Sequence, residues 1–104
     1  MRRLSMLALA AVLAGCGGAA ADGDCGTLEL RRQGGWIEAT FAVSDAAAGD
    51  SWRVVFVHER HVAWRGTARG SFRLRQRMKD YRGSDDVSVR ASGPRVCSAS
   101  ATLR

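Results

Sequence analysis

Between Thr27 and Leu103 apolar and polar residues alternate in short runs, and turn residues interrupt the runs at near-regular intervals. A period of two sends successive side chains to opposite faces of an extended strand, so each run buries one parity and solvates the other. The pattern predicts strands over Thr27 to Arg32, Trp36 to Val43, Ser51 to His58, Val62 to Arg69, Ser71 to Met78, Asp86 to Ala91, and Val96 to Leu103. Ile37, Ala39, Phe41 and Val43 share one parity, as do Trp52, Val54 and Phe56. Phe72 with Leu74, the set Val87, Val89 and Ala91, and the set Cys97, Ala99, Ala101 and Leu103 complete the expected core. A helical period finds little support. The chain therefore reads as all-β, an antiparallel β-sandwich of about seven strands.

The beginning of the chain follows a different pattern. Arg2 and Arg3 precede an apolar run from Leu7 to Leu13. Such a run is too short to cross a bilayer, which takes ~20 residues, and fits a secretory signal. Leu13-Ala14-Gly15-Cys16 at its end resembles the lipobox of bacterial lipoproteins. Ala19-Ala20-Ala21 offers an ordinary signal peptidase a competing small-residue site, but the three cysteines of the chain leave an odd thiol that this route does not explain. The lipobox resemblance implies cleavage after Gly15, a diacylglycerol on the Cys16 sulfur and a further acyl chain, such as palmitate, on its amine. Two or more chains give stable anchoring. With Cys16 so consumed, Cys25 and Cys97 remain as a pair in a compartment where disulfides persist. The expected organisation is a signal peptide over 1–15, a lipidated cysteine and flexible tether over 16–24, and a β-sandwich over 25–104, stapled by one disulfide. Localisation follows from the same resemblance: a lipoprotein of the cell envelope, facing the periplasm or the exterior.

Seven short strands, a tryptophan at Trp52 in the third, and a terminal hairpin around Ala91-Ser92-Gly93-Pro94-Arg95-Val96-Cys97 make residues 25–104 resemble an immunoglobulin or fibronectin type III domain. An immunoglobulin domain bonds its second and sixth strands across the core tryptophan, whereas this pair would join the first and last. Tyr81 also stands before the sixth strand, outside the register of a tyrosine corner. The resemblance implies a sandwich and no particular activity.

Charge is distributed unevenly. Loss of Arg2 and Arg3 with the signal peptide lowers the formal net charge from +6 to +4, leaving a basic domain. In Ser71-Phe72-Arg73-Leu74-Arg75-Gln76-Arg77-Met78-Lys79, the residues Arg73, Arg75, Arg77 and Lys79 share a parity and leave one face of the strand. Their spacing is ~7 Å, giving a ladder ~20 Å long. Guanidinium forks take phosphate or carboxylate oxygens two at a time, which suits an anionic envelope polymer or an acidic protein. The same charges also solvate an exposed strand and block edge-to-edge pairing. Asp80, Asp85 and Asp86 lie in the following loop, where they could partly neutralise the ladder. Trp36, opposite in parity to the core set of its strand and beside Gly34-Gly35, is a second candidate binding residue, or a packed rim tryptophan.

His58-Glu59-Arg60-His61 is the one metal-like cluster of the sequence. Its histidines are three apart at an expected hairpin tip, unlike the helical zinc-protease motif. An even turn would let His58 and His61 oppose each other on one face and hold a metal weakly with Glu59. An odd loop, Glu59-Arg60-His61, would put both Val62 and Trp64 on the face of Phe56, Trp52 and Val54, and that apolar consistency favours it. The histidines then become loop residues and no metal or other cofactor is expected.

Catalysis has little footing. The domain cysteines are consumed, there is no Gly-x-Ser-x-Gly elbow, and Asp85 and Asp86 as neighbours on a strand point to opposite faces. The expectation is a non-enzymatic, lipid-anchored binding module, with the membrane and an anionic polymer or acidic protein as partners and without nucleic acid. Two alternatives stand beside it. Small lipoprotein inhibitors of lysozyme resemble the chain in size, anchor and terminal disulfide, and Ala91-Ser92-Gly93-Pro94-Arg95-Val96 is similar to part of their loop, with Val96 in place of the tyrosine. A structural accessory subunit of an envelope complex is the other.

Overall fold

A computed structural model describes residues 18–104. The expected signal peptide and the lipidation site Cys16 lie outside the described residues. The described strands are β1 Gly18–Asp22, β2 Gly26–Gln33, β3 Trp36–Val43, β4 Ser51–His58, β5 His61–Arg69, β6 Phe72–Lys79, β7 Asp85–Ser92 and β8 Val96–Leu103. Each strand expected from the alternation is present as β2 to β8.

β1 corrects the expectation of a flexible tether over 16–24. Gly18–Asp22 pairs antiparallel with β2, from Gly18 opposite Arg31 to Asp22 opposite Thr27, and Ala19 packs against the core. Glycine and alanine carry too little side chain to produce a readable alternation. Their backbone groups nevertheless hydrogen-bond to an open sheet edge as well as any others do.

Two four-stranded antiparallel sheets face each other, one in the order β1-β2-β3-β6 and the other β5-β4-β7-β8. The expected parities supply most of the core: Ile37, Ala39, Phe41 and Val43 of β3, Trp52, Val54 and Phe56 of β4, Val87, Val89 and Ala91 of β7, and Cys97, Ala99 and Leu103 of β8 are buried, Phe72, Leu74 and Ala101 are partly buried against them, and Leu28 and Leu30 of β2 join them. A line of tilted and edge-to-face aromatics runs through the layer, from Trp52 to Phe72, Phe41, Phe56 and Trp64, with successive centroids 5.9–6.5 Å apart. The Trp52 indole also donates to the Gly70 carbonyl at 3.1 Å, so its one polar atom is satisfied.

Cys25, in the short segment between β1 and β2, is bonded to Cys97 of β8, 72 residues away, with Cα atoms 5.1 Å apart. The bridge joins the two sheets. Closing a loop of that length stabilises by about 4 kcal/mol in the chain-entropy account.

The β4–β5 hairpin differs from the favoured odd loop. His58 pairs with His61 across a two-residue turn, with Glu59 and Arg60 both at positive φ (51° and 71°), and the pairing then shifts between Phe56 and Val57. Ala63 is the extra residue on β5, a β-bulge. Its insertion reverses parity within the strand. Trp64 therefore lands on the face of Phe56, as expected, while Val62 opposes Val57 on the outer face and is exposed. Trp64 lies across Gly66 of its own strand, where a Cβ would overlap the indole ring.

Candidate functional site

β6 is an edge strand because the chain changes sheet between β5 and β6, turning at Gly70 with φ of 65°. Its inward residues Phe72, Leu74, Gln76 and Met78 are partly or fully covered, and Arg73, Arg75, Arg77 and Lys79 are all exposed on the outer face. The register sets these four against Ala42, Thr40, Glu38 and Trp36 of β3. Trp36 and the ladder, separate candidates in the sequence, thus form one surface. The Arg77 guanidinium sits 4.9 Å from the centroid of the half-exposed Trp36 ring. Lys79 Nζ lies 5.9 Å from the Tyr81 ring. Such cation–π contacts fix the orientation of a long side chain and leave its charge on the surface.

The aspartates expected to neutralise the ladder are engaged elsewhere. Asp80 pairs with Arg32 at 2.9 Å, Asp85 with His58 at 2.8 Å, and Asp86 accepts from the Thr102 hydroxyl at 2.7 Å. The carboxylate that does reach the ladder is Glu38, 3.7 Å from Arg75. With Arg75 largely exposed, this pair contributes ~0–1 kcal/mol and does not cancel the field. Among the described residues Arg73, Arg77 and Lys79 form no ion pair.

The fold adds further cations to the two outer faces. Arg31 projects from the outer face of β2, opposite Glu38. The outer face of the second sheet carries Arg53, Arg65, Arg69 and Arg90, all exposed. Arg53 and Arg69 border a shallow groove of about 800 Å³ with Thr67 and Ser92. These arginines were available from parity alone. They are spread over four strands, so no single segment displays them in a row. The Ser92–Val96 turn serves packing, with the Arg95 guanidinium 5.6 Å from the Trp52 ring centroid.

His58 is the larger surprise. It was expected in a loop, but it closes the inward parity of β4 and is buried, 5 % exposed. Asp85, the inward residue that opens β7, is fully buried and holds His58 Nε2 at 2.8 Å through Oδ1. Asp86 points outward, as expected for the next residue on a strand. Tyr81 stacks on the imidazole with centroids 4.9 Å apart, and its amide donates to Asp85 Oδ1 at 3.2 Å. A histidine oriented by a carboxylate is half of a nucleophile-activating arrangement. Among the described residues no hydroxyl or thiol hydrogen-bonds to His58. His61 is exposed, although the register sets its backbone directly opposite His58.

Compared with protein-family models, curated proteins and solved structures, the chain matches none.

Proposed function

We propose that this chain is a non-catalytic, lipid-anchored module of the cell envelope that binds an anionic polymer, with phosphate-bearing polymers as the preferred class and an acidic protein as a second partner of the same chemistry. The observation that carries the reading is the outer face of β6, where Arg73, Arg75, Arg77 and Lys79 all stand in solvent and Arg75 alone is paired with a carboxylate among the described residues. A strand with a two-residue repeat offers a guanidinium every ~7 Å, close to the charge spacing of an extended polyanion. Trp36 adds an apolar surface on which the non-ionic part of a repeat unit can rest. Leu13-Ala14-Gly15-Cys16 supports the anchor, and the basic domain suits the anionic lipids and polymers that surround such an anchor.

We further read the sandwich as fibronectin type III-like. Counted from β2, the strands divide into the orders β2-β3-β6 and β5-β4-β7-β8, so the fourth strand sits beside the third, unlike that of an immunoglobulin constant domain. β1 is then an addition to the smaller sheet.

Affinity capture from a detergent-solubilised envelope extract tests the binding reading. The full chain in detergent is compared with a variant carrying Arg73→Glu, Arg75→Glu and Arg77→Glu. The parent should retain a phosphate-rich polymer or an acidic protein that elutes with rising salt and that the variant loses. Equal retention by both would overturn the ladder as the site and direct attention to Arg53, Arg65, Arg69 and Arg90. Retention by neither would overturn the binding function itself.

A further inference from the structure

The His58–Asp85 pair is buried, with Tyr81 between it and the Lys79 end of the ladder, and its chemistry is incomplete. Asp85 Oδ1 is saturated by His58 Nε2 and the Tyr81 amide. Oδ2, on the same fully buried carboxylate, has no hydrogen-bond partner. A buried carboxylate oxygen without a donor is costly, and folded chains supply such an atom with a proton, a water or a cation. Glu59 follows His58 in the turn, half-buried, with Oε2 held by the Asp86 amide at 2.6 Å. One donor atom from each of His58, Glu59 and Asp85 lies within 4.8 Å of the others.

We propose that His58, Glu59 and Asp85 form a binding site for one divalent transition-metal ion of the zinc class. One imidazole and two carboxylates are a donor set that suits Zn²⁺ or Co²⁺, whereas Ca²⁺ takes six to eight oxygens. Donors on a shared ion at bonds of ~2.0–2.2 Å lie roughly 3–4 Å apart, so atoms already within 4.8 Å of one another need close by only about 1 Å. The amides of Tyr81 and Asp86 already orient the two carboxylates, the supporting hydrogen bonds that metal ligands require. Three protein donors leave a position for water. The ion gives Asp85 Oδ2 the partner it lacks and ties the β4–β5 turn to the first residue of β7. The site is independent of the anion-binding reading.

Equilibrium dialysis of the full chain in detergent, stripped with chelator and then exposed to ZnCl₂, tests the proposal, with Co²⁺ absorption in the visible as the report on ligand geometry. The parent should retain about one ion per chain and show ligand-field bands of a low-symmetry Co²⁺ site. Asp85→Asn and His58→Gln should abolish both. Glu59→Gln is the variant least able to disturb folding, because its side chain reaches the surface, and it should weaken retention about tenfold or more. His61→Gln should retain the ion like the parent. Zinc should raise the Tm of the parent and leave that of Glu59→Gln nearly unmoved. Failure of the parent to retain zinc overturns the site, and so does retention that is insensitive to Glu59→Gln or lost in His61→Gln.

Discussion

The arginine face of β6 and the His58–Asp85 pair both place charge on a strand, but on opposite sides of the dielectric boundary. Each cation of the ladder stands in solvent, so an anion placed there would meet a summed potential in which no single arginine is indispensable. The buried pair has no such freedom. His58 and Asp85 are 5 % and 0 % exposed, and each depends on the other for the group that replaces lost water. One region is therefore redundant and replaceable, and the other is specific and fragile.

The largest expected effect lies in the fragile region. Asp85→Ala removes the acceptor from a buried imidazole and should cost about 3–5 kcal/mol, read from denaturant unfolding in the absence of metal. A loss below 1 kcal/mol would break the contrast, because it would mean that water reaches His58. Next comes the triple reversal Arg73→Glu, Arg75→Glu, Arg77→Glu, measured for stability as well as for binding. Its unfolding free energy should change by less than about 1 kcal/mol, since exposed charges on an outer strand contribute little. A larger destabilisation would assign the ladder a structural role. The smallest effect sharpens the account of the surface. Glu38→Gln removes the carboxylate beside Arg75, and affinity for a soluble polyphosphate should rise a few-fold at low salt, with the gain erased near 1 M salt. No gain would mean that Glu38 leaves the field of the ladder unchanged.

The contrast also governs what could be read before folding. Arg73, Arg75, Arg77 and Lys79 declare themselves in one segment, because a period of two is a local property of the chain. The core parities of β3, β4, β7 and β8 are local in the same way, and they buried the residues expected of them. The His58–Asp85 pair joins residues 27 apart and exists only because β4 and β7 are neighbours with His58 opposite Val87. Nothing in His58-Glu59-Arg60-His61 names Asp85. The β4–β5 hairpin failed for another reason: two parities compete across one turn, and the bulge at Ala63 satisfies both by changing face within β5. A two-residue turn at Glu59-Arg60 lacks the Asn-Gly or Gly-Gly that normally marks positive φ, so it was not recognisable from composition. β1 was hidden because Gly18–Asp22 pairs through its backbone, which sequence patterning does not record.

That strand and the bridge behind it also determine how the molecule answers a mechanical load. A pull delivered through the N-terminus meets β1 first, and β1 is held to β2 by five residue pairs in an antiparallel ladder. Peeling it away frees the backbone from Gly18 to Cys25, a segment roughly 25 Å long at ~3.3 Å per residue. The extension then stops, because Cys25 is bonded to Cys97 and the load passes directly into β8 of the opposite sheet. The domain thus yields first at its edge strand and then meets a covalent stop.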